Sequence, residues 1–117
     1  MNKNFFCYIA DFGNVSDGDT NKPASIKFDA STNFRITHIR PVMDSTTTEA
    51  KVTIKKSDST QLSDKAIALS ALRPSNNGVL NLFENMLVVG GDEWNLTADI
   101  TGGAAKALQI QFWGFKE

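Results

Sequence analysis

From Glu93 to Ile100 the chain reads EWNLTADI, a strict alternation. Trp94, Leu96, Ala98 and Ile100 fall on one side of an extended backbone, and Glu93, Asn95, Thr97 and Asp99 fall on the other. Side chains of a strand point to opposite faces in turn, so this pattern predicts a strand with one buried face and one wet face. Gly90-Gly91-Asp92 precedes it and Gly102-Gly103 follows it, marking both ends with turn residues. AKVTIKK repeats the pattern, with Ala50, Val52 and Ile54 inward and Lys51, Thr53 and Lys55 outward. Half-buried strands of this kind belong to antiparallel sheets.

Other segments bend the rule in informative ways. In NFRITHIRPVM, Phe34 and Ile36 share a parity that Ile39 breaks. One extra residue near Thr37-His38 would restore the phase, so a bulge is expected there. ASIKFDA is a shorter strand carrying Ile26 and Phe28, expected at a sheet edge or end. Residues 64–72 and 80–87 fit either strands or short helices. Ser63 and Pro74 could bound a helix in the first, and Leu80, Phe83 and Leu87 have helical spacing in the second. Strand is the favoured reading of both.

Residues 1–117 therefore form one all-β domain of seven or eight strands, with at most one or two short helical turns. A chain this long buries roughly two-thirds of its unfolded surface, and 41% hydrophobic against 21% charged residues supplies a core without disulfides or metal. Many short strands divided by turns argue for an antiparallel β-sandwich of jelly-roll type, whose two sheets bury their inner faces. An immunoglobulin-type sandwich is less favoured because its cysteine pair is missing: Cys7 is the single cysteine.

Chemistry is scarce. Asp17-Gly18-Asp19-Thr20-Asn21 begins like a calcium loop, but Lys22 stands where the glycine belongs and Phe28 where the bidentate glutamate belongs. A turn between strands explains the same residues. His38 is the one histidine; with one distant cysteine it cannot complete a zinc or iron ligand set, so no metal and no cofactor are expected. Glu84, Asp92 and Glu93 offer no carboxylate pair, because neighbours on a strand face opposite ways. The sequence has no nucleophile elbow and no phosphate loop. A non-enzymatic protein is expected.

Net charge is −1, and six basic against three acidic residues between Lys27 and Lys56 make no dense phosphate-tracking stripe. Nucleic acid is not an expected partner. Nor is a membrane, since no apolar run approaches a spanning length. MNKNFFCYIADFG has an apolar stretch of about six residues, too short for a signal-peptide core, so synthesis in a reducing cytosol is expected and the sequons at Asn14 and Asn95 are accidental.

The two end segments differ from the internal strands. In ALQIQFWGF, Leu108, Ile110 and Phe112 form one face, while the other runs from Gln109 and Gln111 to Trp113 and Phe115. Near the N-terminus Phe5, Cys7 and Ile9 share one face and Phe6, Tyr8, Ala10 and Phe12 the other. Strands apolar on both sides are covered on both sides. Either the two ends shield each other beneath a loop, or another subunit covers them. Phe5, Phe6, Tyr8, Trp113 and Phe115 are accordingly the candidate interface residues.

The stretch from Leu62 to Gly114 resembles small jelly-roll virion proteins of bacteriophages, through QLSDKAIALSAL, ENMLVVGGDEWNLTADITGG and the closing LQIQFWGFK. The resemblance implies a capsid decoration, vertex, or head or tail accessory subunit, located in the virion and made in the host cytoplasm. It implies protein partners, as a homo-oligomer, on a capsid protein, or both. The rival expectation is a carbohydrate-binding jelly-roll module, for which Trp113 and the Asp17–Asn21 loop are the candidates.

Overall fold

The computed structural model describes residues 4–42, 49–60, 62, 67–68, 80–102 and 106–117. Eight strands are described: β1 (Asn4–Val15), β2 (Lys22–Lys27), β3 (Phe34–Val42), β4 (Glu49–Lys56), β5 (Ile67–Ala68), β6 (Leu80–Val88), β7 (Glu93–Thr101) and β8 (Lys106–Lys116). None of the described residues is helical. Residues 80–87 are therefore strand, despite the helical spacing of Leu80, Phe83 and Leu87. Of residues 64–72 only the two of β5 are described, also as strand; the rest lie outside the described residues.

The strands form two antiparallel sheets, ordered β1-β8-β3-β6 and β2-β7-β4-β5. β1 pairs with β8, β2 with β7, β3 with β6 and β4 with β5. The first half of the chain thus lies antiparallel along the second half. The cross-pairs β3–β8 and β4–β7 then stitch this ribbon into its two sheets.

The alternation sets which side chains are inside. Trp94, Leu96, Ala98 and Ile100 of β7 are buried, as are Ala50, Val52 and Ile54 of β4. They meet Leu108, Ile110 and Phe112 of β8 and Phe34, Ile36 and Ile39 of β3 in one core. Each large side chain in it contributes about 1.5–3 kcal/mol. β2 is an edge strand, as its short pattern predicts, and carries Pro23, which only an edge tolerates easily.

Two bulges correct the phase. The register of β3 against β6 and β8 shifts between Ile36 and His38, where the sequence breaks parity. A second shift in β1, between Asp11 and Gly13, turns Val15 inward with Ala10 and Phe12. Gly13 takes φ +69° there and donates its N–H to the Asp11 carboxylate at 2.8 Å. That backbone conformation favours glycine.

Candidate interaction surface

β1 and β8 pair side by side over their whole length, with Phe5 opposite Phe115 and Cys7 opposite Trp113. β3 continues these rungs, placing Arg35 beside Phe115 and His38 beside Trp113. The odd-numbered residues of all three strands around these rungs, with His38 rephased by the bulge, point away from the core. Phe5 stacks on Trp113 with ring centres 5.4 Å apart and meets Phe115 edge-on at 5.1 Å. The His38 ring lies nearly parallel to Trp113 at 6.3 Å and is 6.1 Å from Phe5. Offset-stacked and edge-on geometries suit the ring quadrupoles, so this cluster is held in a defined arrangement.

Polar groups fix the rings from the side. The Trp113 Nε1–H donates to Gln111 Oε1 at 3.0 Å. Thr37, the bulge residue, donates its hydroxyl to the Trp113 carbonyl at 3.2 Å, and its Oγ1 lies 2.9 Å from His38 Nδ1. A hydroxyl has one proton, so with that proton on the Trp113 carbonyl, Nδ1–H is the donor to Thr37. Arg35 and Glu117 form an ion pair at 3.0 Å beside Phe115. Between Trp113 and Phe115 the buried Gly114 allows the strands to touch, because a Cβ there would collide with the Arg35 carbonyl.

The rings are only partly covered. Phe5 is 52% exposed and Ile9, four residues further along the same face, is 46% exposed. Leu87 of β6 lies in register with Arg35 and is equally exposed. The end segments thus do shield each other by pairing, yet a patch of large apolar side chains faces outward.

The five candidates divide. Phe5, Trp113 and Phe115 come together on the outer face. Phe6 and Tyr8 lie on the opposite face of β1. Tyr8 packs against the core between Phe28 and Phe34 at 4.7 and 4.8 Å, and its hydroxyl accepts the Asp29 N–H. Phe6, 39% exposed, has the Lys116 ammonium 3.9 Å above its ring. Ile9, Leu87 and His38 join the outer patch without having been singled out. The signal for Ile9 was present, since it shares the parity of Phe5; that for His38 needed the bulge to be placed between two other strands.

Burial raises the Cys7 thiol above its ordinary range, partly offset by the Phe112 N–H. Asp29 is held below the usual carboxylate range, first by the Ser31 backbone N–H and then by its hydroxyl.

The Asp17–Asn21 loop spends its carboxylates on the turn. Asp17 accepts the Gly102 N–H and Asp19 accepts the Ser16 N–H. Gly18 N–H and the Asp19 carbonyl bond to Ile100 at 3.0 and 2.8 Å. Among the described residues no three His, Cys, Asp or Glu side chains gather as a metal would require. The loop follows Val15, and Trp113 pairs with Cys7. Eight residues of strand, about 26 Å, separate the two. Trp113 and the loop therefore do not converge on one ligand. No family model, curated protein or solved structure matches this chain.

Proposed function

We infer that this chain is a non-enzymatic structural subunit that acts through protein–protein contacts, a jelly-roll component of a bacteriophage virion of the decoration, vertex or accessory kind. The observation that carries the reading is the outward cluster of Phe5, Trp113 and Phe115, with Ile9 and His38 beside it, on a sheet whose described core residues are buried on the opposite face. Clustered exposed aromatics of this sort mark contact sites on soluble proteins.

The jelly-roll reading is supported by the strand pairing. A long antiparallel ribbon, β1–β4 against β5–β8, wound into two four-stranded sheets gives the orders β1-β8-β3-β6 and β2-β7-β4-β5. Double-sheet rolls of this winding serve in viral capsids as well as lectins and cupins. The partner is a second copy, a capsid protein, or both.

The test is replacement of Trp113 and Phe115 by Ala in the purified chain. Light scattering and electron microscopy should show assembly weakened by roughly 30-fold or more, the effect of losing about 2 kcal/mol at a contact centre. The thermal melt of the dilute monomer should move little. Loss of the fold in step with assembly would place these rings in the core and end the proposal.

A further inference from the structure

The free edges of the two sheets on the β1/β2 side are built differently. β2 carries Lys22, Pro23 and Lys27, the charges and proline that keep an edge from pairing with another chain. β1 is twelve residues long, and from Asn4 to Ala10 it reads NFFCYIA, with no charge and no proline. Its only interruption is the bulge at Gly13.

The direction of the β1 backbone groups follows from β8. The Trp113 carbonyl accepts from Thr37, so it points to β3, and the groups of its neighbour Phe112 point the other way, to β1. In an antiparallel ladder the N–H and C=O of one residue point the same way, alternating along the strand. Phe6, Tyr8 and Ala10, opposite Gly114, Phe112 and Ile110, therefore bond to β8. Phe5, Cys7 and Ile9 present their N–H and C=O groups to the far edge, with which no other described strand pairs. β2 does not close that edge. An open groove of about 530 Å³ runs beside Ile9 and Asp11, bounded by residues 23–25 of β2 and 95–97 of β7.

We propose that β1 pairs antiparallel with β1 of a second copy across a two-fold axis through Cys7, joining the two β1-β8-β3-β6 sheets into one. The inference rests on the assembly reading and adds to it a partner and a register. Edge bonding requires odd residues to face odd residues. With Cys7 opposite its copy, Phe5 meets the partner's Ile9 on the outer face, and Phe6 meets the partner's Tyr8 on the inner face. The Phe5–Ile9 and Phe6–Tyr8 rungs then pair large, mainly apolar side chains, the combination that stabilises cross-strand pairs. No charge lies opposite its like, because the segment is uncharged. The exposure of Phe5, Phe6 and Ile9, otherwise three apolar side chains in water, is what such a partner removes. An edge contact buries less than a standard interface, so the dimer is weak and concentration-dependent.

Sedimentation of the purified chain from micromolar to millimolar concentration should show a reversible monomer–dimer equilibrium. A short bis-maleimide should couple the dimer through native Cys7. In a Cys7→Ser background, chains bearing Phe5→Cys mixed with chains bearing Ile9→Cys should couple several-fold better than either alone, which fixes the register. Ile9→Lys should weaken the dimer at least tenfold without moving the melt of the dilute chain; Phe5→Lys serves if that variant does not fold. A chain monomeric throughout, or a dimer that does not couple at Cys7, or cysteines at 5 and 9 that couple no better mixed than alone, overturns the proposal. Association lost with Trp113→Ala and Phe115→Ala but kept with Ile9→Lys would retain the aromatic face and sink the edge. The reverse pattern would retain the edge and sink the face.

Discussion

The two sheets share an inner pattern and differ outside. Among the described residues of the β2-β7-β4-β5 sheet, the outward ones include the exposed, polar Ser25, Lys27, Lys51, Lys55, Glu93, Asn95 and Asp99, with the half-buried Thr53 and Thr97 and the exposed Pro23. On the β1-β8-β3-β6 sheet they include Phe5, Cys7, Ile9, Trp113 and Phe115. The first sheet is finished by water. The second has apolar surface left over outside the core, most of it on the first and last strands, with Leu87 of β6 beside them. Burial of one face makes the fold, while the composition of the other face decides what the folded molecule will meet.

Neighbouring residues on β8 give the sharpest way to break that contrast. Phe112 is fully buried and touches Trp94 edge-on, whereas Trp113 faces out. Phe112→Ala should cost about 3–5 kcal/mol of stability in denaturant unfolding, and Trp113→Ala no more than the roughly 0.5–1.5 kcal/mol of its ring contacts. Equal costs would mean that the outer face is a second core. Next in size is Gly114→Ala, which forces a methyl against the β3 backbone at the bulge. Overpacking of this kind costs about 1–3 kcal/mol; it should also disturb Trp113 fluorescence, because the bulge positions that ring. An unchanged melt would show that the bulge is soft and the aromatic cluster not fixed by it.

The smallest effect is at Cys7. Its thiol pKa is raised in the folded chain, so the folded state holds its proton to higher pH than the unfolded state does. The sign follows: this contribution is complete below the ordinary thiol value and is lost as pH rises through the raised folded value. Alkylation of Cys7 near neutral pH should be slower in the native chain than in denaturant, and slower again as protein concentration rises if β1 edges pair. A rate independent of folding would contradict the burial that raises the thiol.

Much of this architecture was legible residue by residue. The in-and-out assignment of β4, β7 and the core face of β8 follows from parity alone, because alternation is a local property of extended backbone. The bulge at Thr37-His38 showed as a phase error between Ile36 and Ile39, and the edge position of β2 as a short strand. Residues 80–87 were ambiguous because short apolar runs satisfy both periods. For β1 the sequence offered apolar residues at both parities, so pattern could not tell which face was inner. Five aromatics consequently read as one group, although Tyr8 is a core-packed ring and Phe5 an exposed one.

The amino-acid sequence by itself settled the all-β class, the alternation within each strand and the excess of apolar surface at both ends, since each depends on residue type and spacing over a few positions. Which strands became neighbours depended on contacts between residues far apart in the chain. The pairing of β1 with β8 gathers Phe5, Trp113 and Phe115 into one cluster, and the winding of the ribbon turns Tyr8 inward and leaves the β1 edge open. Those choices depend on burying apolar area from segments far apart in the chain, a quantity that no single segment contains.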